Sequence, residues 1–149
     1  KILESTITVC RNEWKYHAEM ETDLSPNLPS ILCFPGDLGQ VFLNIIVNSA
    51  HAIEKANGEI QGGMGKIVVR TQKTDFGVQV QISDTGGGIP EQIQDKVFDP
   101  FFTTKERGKG TGQGLAIAYG VVVDKHLGKI RFDSEEGVGT TFTIELPVE

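Results

Sequence analysis

Residues 40–53 read QVFLNIIVNSAHAI, and the spacing of their polar groups decides the fold. At about 100° per residue, Asp37, Gln40, Asn44, Asn48, His51 and Lys55 fall in one narrow stripe. Phe42, Leu43, Ile45, Ile46, Val47 and Ile53 take nearly all of the remaining surface. Such a helix is buried on every side but one, so it needs a sheet to lie on. Asn is a poor helix former, and a solvated stripe is more naturally built from Glu and Lys. The amides are therefore expected to serve as donors and acceptors inside a cleft, with a water-bonded surface stripe as the alternative.

The elements around this helix follow from local signals. Residues 2–14 carry a helical apolar pattern that starts abruptly at the first residue, from which a piece cut out of a longer chain is expected. Residues 25–29, SPNLP, break the chain, and 31–34 form an expected short strand. Pro35, Gly36 and Asp37 precede the helix, with Asp37 as expected N-cap and 38–55 as its body. A loop over 57–65 leads to two alternating segments, 66–71 and 78–84, expected as strands. Residues 90–96 make a short helix with Pro90 in its first turn. Residues 106–114 are a glycine-rich loop, 115–126 an apolar helix ended by Gly128, and 129–133 and 140–146 closing strands. No internal repeat or linker interrupts the 149 residues, which form one expected domain spanning 1–149. The fold class expected is α/β: a two-layer sandwich of one mixed β-sheet with helices on one face.

Composition narrows the function. An apolar fraction of 38%, a charged fraction of 23% and no apolar run near the roughly 20 residues of a membrane span belong to a globular chain. With two thiols expected in a reducing compartment, a cytoplasmic location is expected, either free or as the cytoplasmic part of a membrane-anchored protein. A net charge of −6 disfavours nucleic acid and anionic membrane surfaces as partners. Cys10 and Cys33 sit among apolar neighbours, so two buried thiols are expected.

Three further blocks carry chemistry. Val78, Val80, Ile82 and Asp84 share one strand face, which puts a carboxylate at the end of an inward row. That carboxylate needs a donor, and the exocyclic amine of adenine supplies one. Gly86, Gly87 and Gly88 behind it free the backbone for a flat base. The alternative is a plain Asp-Gly turn. In residues 98–105, FDPFFTTK, Phe98, Phe101 and Phe102 form an expected hinge before a mobile loop that carries Lys105, Arg107 and Lys109. Gly108, Gly110, Gly112 and Gly114 alternate before a helix start, an arrangement that suits phosphate oxygens. Asn48 offers the hard oxygen that Mg²⁺ accepts, and His51 a donor to phosphate. No GxGxxG is present, and the Gly-Lys pairs at Gly65, Gly108 and Gly128 lack the Ser or Thr of a Walker loop. The HRD and DFG signatures of eukaryotic-type kinases are absent too.

With these residues in hand, the chain resembles the catalytic ATP-binding domain of bacterial two-component sensor histidine kinases, whose superfamily also holds gyrase and heat-shock chaperone ATPases. Residues 40–53 look like its N box, 84–90 its first glycine box, 98–105 its F box, 108–122 its second glycine box and following helix, and 137–147 its last two strands. The FxPFFTTK form is similar to the nitrogen-sensor branch.

The resemblance implies a Bergerat-type fold, ATP as substrate and Mg²⁺ as cofactor. It implies that Asn48 holds the metal and that Asn44, His51 and Lys105 act on the phosphates. Asp84 would read the adenine amine; Ala52, Gly86, Gly88 and Ile89 would shape the base pocket, and Thr140 would add a water-mediated contact. Thr103, Thr104, Lys105, Gly110, Thr111, Gly112, Gly114 and Leu115 would belong to the lid and its base. Gln113 departs from the commoner Leu. Hydrolytic relatives carry a Glu where this chain has Asn44, so transfer to a nucleophile is implied over attack by water. The implied acceptor is a histidine on a separate dimerisation and phosphoacceptor helical domain, with a response regulator downstream, because His17, His51 and His126 lack the acidic neighbour of an acceptor.

Overall fold

The alternation over residues 65–84 builds the centre of a five-stranded sheet. A computed structural model describes residues 2–15, 18–26, 28, 33–59, 65–96 and 114–147. Its strands are β1 (Ala18–Asp23), β2 (Gly65–Lys73), β3 (Gly77–Asp84), β4 (Lys129–Glu135) and β5 (Gly139–Pro147), in the order β1-β2-β3-β5-β4. β1 runs parallel to β2 and every other pair is antiparallel, so the sheet is mixed as expected.

Register gathers the apolar residues on one face. Val69 pairs with Ile82, Ile82 with Phe142 and Phe142 with Phe132, while Val80, Ile144 and Ile130 form the next row. The opposite face is polar: Lys66 meets Glu21 at 3.1 Å, Arg131 meets Glu145 at 2.9 Å, Ser83 bonds Thr141 at 2.9 Å, and Gln72 bonds Gln79. A period of two thus assigns one face to helices and one to solvent.

The helices are α1 (Ile2–Val9), α2 (Arg11–Trp14), α3 (Pro35–Glu59) and α4 (Gly114–Tyr119). α3 lies on β2 and β3, and α1 and α4 pack on α3. Leu38, Val41, Ile45, Ile46, Ala50 and Ile53 of α3 are buried with Ile67, Val69, Ile82 and Ile144 of the sheet. Each large side chain so covered stabilises the fold by about 1.5–3 kcal/mol. No helix among the described residues is long and apolar enough to cross a membrane.

Several boundaries differ from the sequence expectation. The helix over 2–14 breaks at Cys10, since Thr6 and Thr8 turn their hydroxyls back to the carbonyls of Ile2 and Glu4, a pattern that weakens a helix. Cys10 is buried as expected, but Cys33 is only half-buried. α3 starts at Pro35, so Asp37 is a first-turn residue and not the N-cap; there it pairs with Lys125 at 2.8 Å. The helix runs on to Glu59, through part of the expected loop, because Glu54, Lys55 and Ala56 are strong helix formers. Residues 33 and 34 are not in a strand, and 31 and 32 lie outside the described residues. Residues 91–96 form a 3₁₀ turn after Pro90. β1 was not expected.

The helix over 115–126 also divides. After Tyr119 the ladder widens into a π-turn over Gly120–Lys125, closed by His126. The backbone N–H of His126 donates to Val121 O at 3.1 Å, and its Nε2 accepts from the Phe34 N–H at 2.9 Å. Nε2 is thereby the unprotonated nitrogen, so Nδ1 donates to Val121 O at 2.9 Å. This buried ring ties the π-turn to the residue before α3, which explains why Phe34 joins no strand. His126→Ala is expected to lower unfolding free energy by about 2–3 kcal/mol in a urea titration, by removing both bonds and opening a cavity.

Candidate functional site

At the C-terminal end of β3, the inward row finishes on Asp84, 8% exposed, paired in register with Ile67 and Thr140. Its Oδ1 accepts the Gly86 N–H at 2.9 Å. Burial raises its carboxyl above the ordinary value of 3.8, and the Gly86 N–H, the Ser49 hydroxyl and the Thr140 N–H hold back part of that rise. An inward carboxylate at the end of an apolar strand, as the sequence implies, is what the fold delivers.

α3 closes on this carboxylate from above. Ala52 touches Gly86: a Cβ on Gly86 would lie 2.7 Å from the Ala52 Cβ. Asn48 is one turn before Ala52 and Asn44 two turns before, both half-buried on the adjoining stripe. Asn44 Oδ1 accepts from Gln40 Nε2 at 2.9 Å, which orients its amide, and His51 is half-buried on the same stripe.

The loop after Asp84 is fixed from the opposite side. Ile89 N–H donates to Ser134 Oγ at 2.7 Å, and that hydroxyl also bonds Thr140 Oγ1 at 2.9 Å. Gly88 has φ +77° and would drive a Cβ to 2.3 Å from Glu135 O. Gly86 and Gly88 are thus required by contacts of the chain with itself, a reason different from the approach of a flat base; Gly87 alone faces open space.

A hollow of about 330 Å³ reaches Asp84 from the β4–β5 end, lined by Ser134, Glu135, Val138, Gly139 and Thr140 among others. Among the described residues α3 does not line it: Asn44 and Asn48 stand on the neighbouring stripe. Ala52, Gly86, Gly88, Ile89, Asp84 and Thr140 are brought together at this sheet end. Gly114 opens α4, and Leu115 packs on the core. Thr103, Thr104, Lys105, Gly110, Thr111 and Gly112, with the aromatic hinge and Arg107 and Lys109, lie outside the described residues. Three positions escaped the sequence reading. Ser49 follows Asn48 and reads as an ordinary helical residue; Ser134 pins Ile89; Gly139, at φ +151°, leaves a Cβ only 2.0 Å from Asp84 O. The GVGT run was the one available signal for Gly139.

Residues 35–149 match the family described as "Histidine kinase-, DNA gyrase B-, and HSP90-like ATPase". Sporulation kinase E of Bacillus subtilis is 37% identical over 132 residues, covering 89% of this chain and 16% of that protein. The sensory histidine kinase/phosphatase NtrB of Proteus hauseri is also 37% identical, over 130 residues, covering 85% of this chain and 36% of that protein. Equal identity to both does not single out the nitrogen-sensor branch. The nucleotide-free catalytic domain of histidine kinase ThkA superposes with a TM-score of 0.80 at 26% identity, covering 98% of this chain and 91% of that one. The chain belongs to the histidine kinase-, DNA gyrase B-, and HSP90-like ATPase family, as a catalytic domain of the sensor histidine kinase type.

Proposed function

We propose that this chain binds Mg-ATP and donates the γ-phosphoryl group to a histidine on a separate helical dimerisation and phosphoacceptor domain, from which a cytoplasmic response regulator receives it. One observation carries the reading: a buried carboxylate, Asp84, stands at the sheet end against a helix whose outer stripe is made of amides. Membership in an ATPase family supplies the nucleotide.

In this reading Asp84 accepts the exocyclic amine of adenine, and Ala52, Gly86, Gly88, Ile89 and Thr140 bound the base. Asn44 and His51 meet phosphate oxygens, joined by Lys105 and the other lid residues. Among the described residues no group of three His, Cys, Asp or Glu forms a metal cage. The donor set on α3 fits a cation held mainly by water and phosphate oxygens, with Asn48 giving a single amide oxygen, which is how Mg²⁺ is ordinarily bound. When bound, Mg²⁺ neutralises phosphate charge. Asn44 carries no basic group to take a proton from water, which favours transfer to a nucleophile over hydrolysis. Nucleic acid and membrane surfaces are not partners in this reading, given the net charge of −6.

Incubating the chain with labelled ATP and an isolated phosphoacceptor helical hairpin tests it. Label on the hairpin histidine supports the proposal; free phosphate alone, or binding without transfer, contradicts it. Asn48→Ala is expected to weaken Mg-ATP binding by about 1.5–3 kcal/mol, the range of one charge-assisted contact, with little change in melting temperature. Unchanged calorimetric affinity would remove the metal role from Asn48.

A further inference from the structure

Ser49 is 2% exposed, and its Oγ makes no hydrogen bond of ordinary geometry. Its neighbours on α3 are Ala50 and Ala52, and alanine would fill position 49 with better helix propensity. Serine there costs stability twice, through propensity and through a buried hydroxyl lacking a full partner. Ser49 lies one turn before Ala52, which packs against Gly86, the residue whose N–H bonds Asp84 Oδ1. The Ser49 hydroxyl is thus on the side of α3 that covers the carboxylate, where it favours the charged form. Asp84 Oδ1 is already engaged by the Gly86 N–H, and the Thr140 N–H approaches from β5. A third donor, from α3, completes a cradle on three sides.

We infer that Ser49 is a positioning residue for purine specificity: when a purine occupies the site, its hydroxyl donates to Asp84 and holds the carboxylate facing the exocyclic amine. The inference rests on the reading of Asp84 given above. A hydroxyl whose imperfect contact with Asp84 tightens into a full hydrogen bond when ligand is present accounts for a serine where the unliganded fold favours alanine. The structural cost and the binding gain fall in different states, so they are separable.

The test compares ADP with the diphosphate of purine riboside, which lacks the 6-amino group, by calorimetry on the unsubstituted chain and on Ser49→Ala. Ser49→Ala is expected to weaken ADP binding about five- to tenfold, the size of one ordinary hydrogen bond felt through the Asp84 carboxylate, while the amine-free diphosphate changes by less than about twofold. The melting temperature of the unliganded variant should equal or exceed that of the parent. Unchanged ADP affinity overturns the inference. Equal losses for both nucleotides, or a lower melting temperature, overturn it as well, since a packing role gives that result. If the unsubstituted chain binds both diphosphates equally, the reading of Asp84 fails, and the role of Ser49 falls with it.

Discussion

Gly139→Ala is expected to destabilise the chain by about 4 kcal/mol or more, enough to remove most of the stability of an ordinary domain. The new Cβ would stand 2.0 Å from Asp84 O and 3.3 Å from the Thr85 Cα, at a φ of +151° that L side chains rarely adopt. Both partners are backbone, so no rotamer change relieves the clash. β5 would have to leave β3 at the pair Asp84–Thr140, where the carboxylate is positioned. Nucleotide binding should be lost with it. Gly87→Ala is the control: nothing lies within 4 Å of its Cβ, so its unfolding free energy should stay within about 0.5 kcal/mol of the parent. Denaturant titration of the two variants measures the contrast.

Asp84→Asn is expected to weaken ATP binding by about 2–3 kcal/mol, the range of a hydrogen bond to a charged group. The unliganded chain should not lose stability in proportion, because burying the charge already costs. Burial holds this carboxyl above 3.8, so between 3.8 and the raised value the folded chain keeps a proton that the unfolded chain has released. Stability contributed by Asp84 therefore falls as pH rises through that window, and its full cost is present above it. Binding has the opposite sign: the amine needs the ionised carboxylate, so adenine affinity falls as pH drops through the raised value. Titrations across pH on the parent and on Asp84→Asn isolate this component, since phosphate ionisation is common to both.

The centre of the sheet and α3 were legible because their patterns are local. Val78, Val80 and Ile82 alternate, and the amide stripe of α3 leaves every other direction apolar. β1 was not legible: in AEMETD only Ala18 is fully buried, and a strand pairing in parallel with a segment more than forty residues away carries no turn signal. The π-turn was hidden for another reason. Apolar spacing shows which face of a helix is buried but not how its hydrogen bonds are registered, and His126 takes its second partner 92 positions away. In the site, Asp84 was legible from alternation alone. The purposes of Gly86 and Gly88 were not, since the groups they would strike, Ala52 and Glu135, come from α3 and β4. Ser49 escaped for the same reason: its significance depends on a carboxylate delivered by β3.

Calorimetric titration of the unsubstituted chain with Mg-ATP and Mg-GTP tests the central claim most directly. Guanine places a carbonyl where adenine has its amine, opposite the acceptor Asp84, and a mismatch of that kind leaves a buried carboxylate unpaired. Binding of ATP at least about tenfold tighter than GTP, with the preference erased in Asp84→Asn, is the predicted result. Equal affinity of the unsubstituted chain for the two nucleotides would contradict it.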